Sequence, residues 1–211
     1  MANLMEMLQG QLTESLVSQL SQQIGGASPE QTTTAANSIM STLMGALAKN
    51  ASTTEGANSL LNALDKDHDG SVLDNITSLI GGGAGRTEAQ VPSGMERALN
   101  GAGIIKHLLG NRQSGAIDMI SQMSGLKGDQ TGNLMQMLAP MVMGMLGRQK
   151  KQGGLDIAGL ASLLSGNVAQ QKQTNPAMGL ITSFLDKDGD GDIKDEIASM
   201  GMRMLGNFFK K

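Results

Sequence analysis

Leucine or isoleucine stands at every fourth position from Leu4 through Leu8, Leu12, Leu16 and Leu20 to Ile24, a period that suits a helix and not a strand. At 3.6 residues per turn, such a ladder drifts by about 40° per step. One straight helix cannot turn all six residues toward a single neighbour. The spacing therefore predicts either a break near Gly10 or a helix wrapped on several sides. Nothing in the chain competes with helix. No segment alternates apolar and polar residues for long, Trp and Tyr are absent, and the three Phe (Phe184, Phe208 and Phe209) lie near the C-terminus. The expected fold class is all-α, a multi-helix bundle.

Helix boundaries are written into the next segment. Ser28 suits an N-cap, Pro29 the first helical position, and Gln31 the reciprocal half of a capping box. The helix that follows carries Ile39, Met40, Leu43, Met44 and Leu47 at helical spacing. A shorter one with Leu60, Leu61 and Leu64 leads into an aspartate-rich run, after which come Ile76, Leu79 and Ile80. A shift of 99 residues places Gln31 on Gln130, Leu43 on Val142, Met44 on Met143, Gly45 on Gly144 and Leu47 on Leu146. Leu61 and Leu64 then fall on Leu160 and Leu163, and a second aspartate-rich run follows after an insert of about 22 residues by this alignment of repeats. This spacing predicts a degenerate internal duplication. An N-terminal helical repeat would occupy residues 1–80, a glycine-rich linker 81–93, and a C-terminal repeat 94–211.

The aspartate-rich runs carry the chemistry. The first presents Asp65, Asp67 and Asp69 at positions 1, 3 and 5, then Gly70, Ser71 and Asp74. The second presents Asp186, Asp188 and Asp190 at the same positions, then Gly191, Asp192, Asp195 and Glu196. Carboxylates at positions 1, 3 and 5 of a tight loop converge on one point, and calcium requires six to eight oxygens. Glycine at position 6 permits the sharp turn, and position 7, Ser71 or Asp192, would add its backbone carbonyl. Residues 65–76 and 186–197 hold ten of the 19 acidic residues, which leaves nine acidic and 13 basic residues elsewhere. Uncompensated, such clustered carboxylates repel each other. Two Ca2+ sites are expected, with Asp74 and Asp195 closing them at position 10 while capping the next helix, and Glu196 a further candidate ligand. A flexible, all-protein oxygen site favours calcium over magnesium.

Both runs resemble EF-hand loops, with one shared departure. Ile76 and Ile197 stand where the bidentate glutamate of position 12 belongs, as in shortened EF-hand-like loops of bacterial extracellular proteins, and this points to low affinity. A second resemblance rests on the run Gly103-Ile104-Ile105-Lys106-His107-Leu108-Leu109-Gly110, on Arg112-Gln113-Ser114, and on the apolar stretch Gln136 to Gly144. In these the chain is similar to the YidB-like family of uncharacterised bacterial proteins (domain of unknown function 937). That resemblance implies an all-helical fold with homeodomain-like helix packing, and no activity.

Several chemistries find no residues here. Cysteine is absent and only His68 and His107 are histidines, so neither a transition-metal site nor a nucleophile–base pair is expected. Position 4 of such a loop normally points outward, which predicts an exposed His68. Gly101-Ala102-Gly103 lacks the third glycine and the preceding strand of a dinucleotide fingerprint. Arg148, Lys150 and Lys151 follow a long apolar helix and are read as complementing its C-terminal dipole. The most apolar stretch, residues 134–147, suits a core helix and is too short to span a membrane.

The expected function is a non-enzymatic calcium-binding protein with a structural or protein-interaction role, two ions stabilising helix junctions. One alternative is a calcium sensor that exposes Met135, Met137, Met141, Met143 and Met145 as a surface for a protein partner or self-association. Another, by analogy with homeodomain-like folds, is nucleic-acid binding, which the scattered Lys and Arg and a net charge of −3 do not favour. The first residues lack the pattern of a signal peptide, which points to the cytoplasm. Low-affinity calcium loops point instead to the calcium-rich cell exterior, reached by leaderless export.

Overall fold

A computed structural model of the chain describes residues 4–66, 68, 70, 73, 99–154, 156–174 and 181. Every regular element among them is helical, and no strand occurs. In chain order these are α1 (Leu4–Gln11), α2 (Glu14–Gln23), α3 (Pro29–Ala51), α4 (Thr54–Lys66), α5 (Gly101–Leu109), a 3-10 turn (Gly110–Arg112), α6 (Gln113–Ser124), α7 (Gly128–Gly153) and α8 (Ile157–Thr174).

The leucine ladder breaks two residues beyond Gly10. Helix α1 stops at Gln11, and Thr13 caps α2 by accepting the Leu16 amide at 3.3 Å. The break lets Leu8, Leu20 and Ile24 all reach the core, with Leu12 and Leu16 half-buried. After α2 the chain reverses through Gly25 and Gly26, both at positive φ, and enters α3 through the capping box that its sequence spells. Ser28 Oγ accepts from the Gln31 amide at 3.2 Å, and Gln31 Oε1 accepts from the Ser28 amide at 3.3 Å. Helix α7 begins less firmly. Gln130 accepts from the Lys127 amide at 3.1 Å, but a lysine side chain has no acceptor to return the bond.

Helices α3 and α7 are the spine. Helix α3 packs against α1, α2, α4, α5, α6, α7 and α8, and α7 packs against α1, α3, α4, α5 and α6. Residues 38–47 of α3 and 138–147 of α7 are buried on every side. The apolar core that results is continuous from Leu8 to Leu164 and Ile181 and includes residues of both halves of the chain. Met135, Met141, Met143 and Met145 are at most 4% exposed, so these methionines are core filler. Burial on all sides also encloses small polar groups, and the helix satisfies them itself. Thr32 donates to the Ser28 carbonyl (2.9 Å), Ser38 to Thr34 (2.9 Å) and Thr42 to Ser38 (2.8 Å).

One contact depends on a missing N–H. Pro140 lies inside α7 and cannot donate to the Gln136 carbonyl four residues earlier. Gly101, buried at the start of α5, rests against that carbonyl so closely that a β-carbon would sit 1.9 Å from its oxygen. Glycine alone allows α5 to lie this close to α7.

Candidate metal centre

The first aspartate-rich run begins inside a helix. Asp65 and Lys66 are the last residues of α4, and both are exposed. The His68 amide donates to the Ala63 carbonyl at 3.1 Å, five residues back, a bond that closes the end of α4 with a wider turn than the helix itself. Gly70 follows at φ 96°, a left-handed conformation that glycine adopts without penalty. The Leu73 amide then donates to the Gly70 carbonyl at 3.1 Å. Gly70 therefore stands at a turn of the chain, closed by the Leu73 amide.

The turn is seated on the C-terminal half of α7. A β-carbon on Gly70 would lie 3.0 Å from Arg148 Cβ and 3.2 Å from the Gly144 carbonyl, so close approach and positive φ both require glycine. Arg148 donates to the Gly70 carbonyl at 3.3 Å, and the Lys150 ammonium pairs with the Asp65 carboxylate. Asp65 is 63% exposed, so this pair contributes about 0–1 kcal/mol. Its effect is on position: a positive group from α7 already stands beside a carboxylate at loop position 1.

Two sequence expectations change here. Arg148 and Lys150 do more than complement the dipole of their own helix, because Lys150 reaches across to the last turn of α4 and Arg148 to the loop that follows it. His68 does not point outward. It is 5% exposed, because the turn at the end of α4 brings position 4 against α5. Neither contact has a local signal, since the partners lie 78 and 85 residues apart for the two basic residues.

Of the expected ligands, Asp65 is described. Asp67, Asp69, Ser71 and Asp74, and all of Asp186, Asp188, Asp190, Asp192, Asp195 and Glu196, lie outside the described residues, as does the linker at 81–93. Among the described residues no three acidic or imidazole side chains converge as a metal site, so any calcium centre draws most of its ligands from elsewhere. The described residues of the first run are an exposed Asp65 paired with Lys150, a buried His68 and a left-handed Gly70 seated on α7. No described helix is long and apolar enough to cross a membrane.

No curated protein and no solved structure matches the chain. A family of bacterial proteins of unknown function, DUF937, matches residues 6–149, from α1 to the end of the apolar part of α7. The match includes the first aspartate-rich run and stops short of the second. Two thirds of the sequence is thus accounted for, and the chain belongs to the DUF937 family of bacterial proteins.

Proposed function

We propose that this is a non-enzymatic, calcium-binding helical protein in which two Ca2+ ions staple helix junctions, in a structural or protein-interaction role. The observation that carries the reading is the seat of Gly70. A cation held by the loop after α4 would tie the end of α4 to the buried length of α7, because the loop already rests on Gly144 and Arg148. Such an ion adds stability without any need to open the bundle. The burial of Met135, Met141, Met143 and Met145 supports a structural role over a sensor that exposes them.

We further propose that the second site repeats the first through an internal duplication at an offset of 99. Gly26 and Gly125 share that offset, and both sit at positive φ, 79° and 75°, just before a long helix. Gln31 and Gln130 both reach back to the amide three residues earlier, and Thr32 and Thr131 are both fully buried. The halves also meet at this point, where Gln31 Nε2 donates to the Gly125 carbonyl at 3.1 Å and Gln130 Nε2 lies 3.6 Å from a β-carbon built on Gly25.

Calorimetric titration with calcium tests the reading. Two ions should bind to the intact chain, and Asp67→Ala and Asp188→Ala should each lower the stoichiometry to one. Each site should stabilise by about 2.7 kcal/mol at a hundredfold excess over Kd. Absence of calcium binding, with identical melting in calcium and in chelator, would refute it. A chelator-reversible rise in ANS fluorescence on adding calcium would replace the structural role with a sensor.

A further inference from the structure

Of the chain's asparagines, Asn100 alone is followed by glycine. An Asn-Gly pair leaves the asparagine side chain most open to attack by its own backbone, because glycine has no β-carbon to shield the next amide nitrogen. Here the fold requires both members. Asn100 is the N-cap of α5, and its Oδ1 accepts from the Gly103 amide at 2.8 Å. Gly101 is buried against the Gln136 carbonyl of α7, where a β-carbon has no room. Capping and packing thus place a reactive pair at the start of α5.

We infer that Asn100 is a site of spontaneous modification, deamidation through a cyclic imide, which the folded chain holds silent and the opening of α5 releases. In the first step the Gly101 nitrogen bonds to Asn100 Cγ, the Cγ–Nδ2 bond breaks, and ammonia leaves with the proton of the Gly101 amide. Water then opens the ring. Addition at Cγ gives aspartate in the normal chain. Addition at the Asn100 backbone carbonyl carbon gives isoaspartate, whose chain runs through the β-carbon. The native geometry opposes the first step in three ways. Asn100 has φ −77° and ψ 74°, and the Gly101 amide donates to the Leu99 carbonyl at 2.9 Å, the form of an inverse γ-turn. At that ψ the Gly101 nitrogen lies nearly opposite Asn100 Cβ across the Cα–C bond, whereas ring closure needs the two on the same side. The carboxamide, for its part, is held over Gly103, where a β-carbon would come within 2.8 Å of Nδ2 and 2.9 Å of Cγ. Lastly, Gly101 is fixed on α7, so Asn100 cannot turn about its ψ without lifting the start of α5. Isoaspartate adds a backbone atom just before Gly101. A chain modified while open therefore cannot seat α5 as before, and the opening becomes irreversible.

The test is to incubate the full chain at neutral pH, both folded and in urea, and to follow each asparagine by peptide mass spectrometry. In urea Asn100 should deamidate faster than any other asparagine of the chain, with isoaspartate among the products. In the folded chain its rate should fall by at least about a hundredfold, as for a site that reacts only in opened molecules. Ile105→Val trims a fully buried side chain of α5 and leaves the pair untouched. It should raise the folded rate about fivefold and leave the rate in urea unchanged. If that variant fails to fold, the parent in sub-denaturing urea makes the same measurement. After removal of urea, isoaspartate-containing chains should melt below the parent. Equal rates in the folded and urea samples, an Asn100 no faster in urea than the other asparagines, or a folded rate indifferent to Ile105→Val and to sub-denaturing urea would each overturn the proposal. So would isoaspartate-containing chains that melt as the parent does.

Discussion

Helices α3 and α7 do the same work in the middle of the molecule by different means. Each is buried on all sides for ten residues, and each enters its buried stretch through a glutamine that reaches back to the residue before the helix. Helix α3 is regular where Ser41 stands, and it is closed at its start by a complete capping box. Helix α7 has Pro140 at the corresponding place, 99 residues later, and only half of the box. Regularity makes α3 a hub that every other α-helix touches. Helix α7 has two places that neighbours exploit: the Gln136 carbonyl that Pro140 cannot use, which receives Gly101, and a basic tail that holds the last turn of α4 and the loop after it. Between two helices of similar length and burial, one exception to ideal geometry, Pro140, marks where α7 admits the closest neighbour.

The largest expected effect tests the irregular place directly. Gly101→Ala drives a β-carbon to within 1.9 Å of the Gln136 oxygen, so α5 and α7 must separate. The expected cost is about 3 kcal/mol, at the upper end for overpacking. This corresponds to a melting temperature lower by about 6–12 °C in a chain of this size. Gly166→Ala in α8, where a β-carbon meets nothing within 4 Å, is the control and should stabilise by about 0.4–1 kcal/mol. Equal, small effects of the two substitutions in thermal melts would remove the distinction between α7 and a regular helix.

A smaller effect separates the two helix starts. Ser28→Ala removes the acceptor for the Gln31 amide and should cost about 1 kcal/mol. Lys127→Ala leaves the amide that Gln130 uses, so denaturant titration should find it within about 0.5 kcal/mol of the parent, as for most surface changes. Similar losses at both positions would mean that the two starts are equivalent after all.

The smallest effect lies beside the first cap and depends on pH. The Glu30 backbone N–H, followed by the Ser28 side chain, holds the Glu30 carboxyl below the usual carboxylate range. A carboxyl more acidic in the folded chain than in the unfolded one stabilises above its unfolded pKa, and this contribution is lost as pH falls through its folded value. Glu30→Gln should therefore melt slightly lower than the parent at neutral pH. The two should converge once the pH has fallen through the folded value and the carboxyl is protonated in both states. A difference that persists in acid would assign the effect to something other than this charge.

Sequence reasoning reached the elements and their starts because those signals are local. Ser28, Pro29 and Gln31 lie within four residues, and the ladder from Leu4 to Ile24 requires its break wherever a cap is available, which proved to be Thr13. It also reached the all-helical class and the burial of both long apolar stretches. Contacts between distant residues were not legible. Nothing near Lys150 points to Asp65, and nothing near Gln136 except Pro140 suggests that a glycine 35 positions earlier would press on its carbonyl. The burial of Thr32, Ser38 and Thr42 was missed for a different reason. Their polarity suggests exposure, but inside a helix their hydroxyls are satisfied by the preceding turn and hide as readily as alanine.

Gly70 has a consequence for how this lineage can change over time. A glycine at the sixth position of a metal loop is ordinarily kept by the turn around the ion. Here the same residue also fits between Arg148 and the Gly144 carbonyl, a constraint that no ion imposes. If the loop binds calcium as proposed, a descendant that gave the ion up would be free to replace Asp67 and Asp69, yet would still be penalised for replacing Gly70. Among relatives of this chain, the aspartates would therefore be the record of metal use, and the glycine the record of how α4 sits on α7.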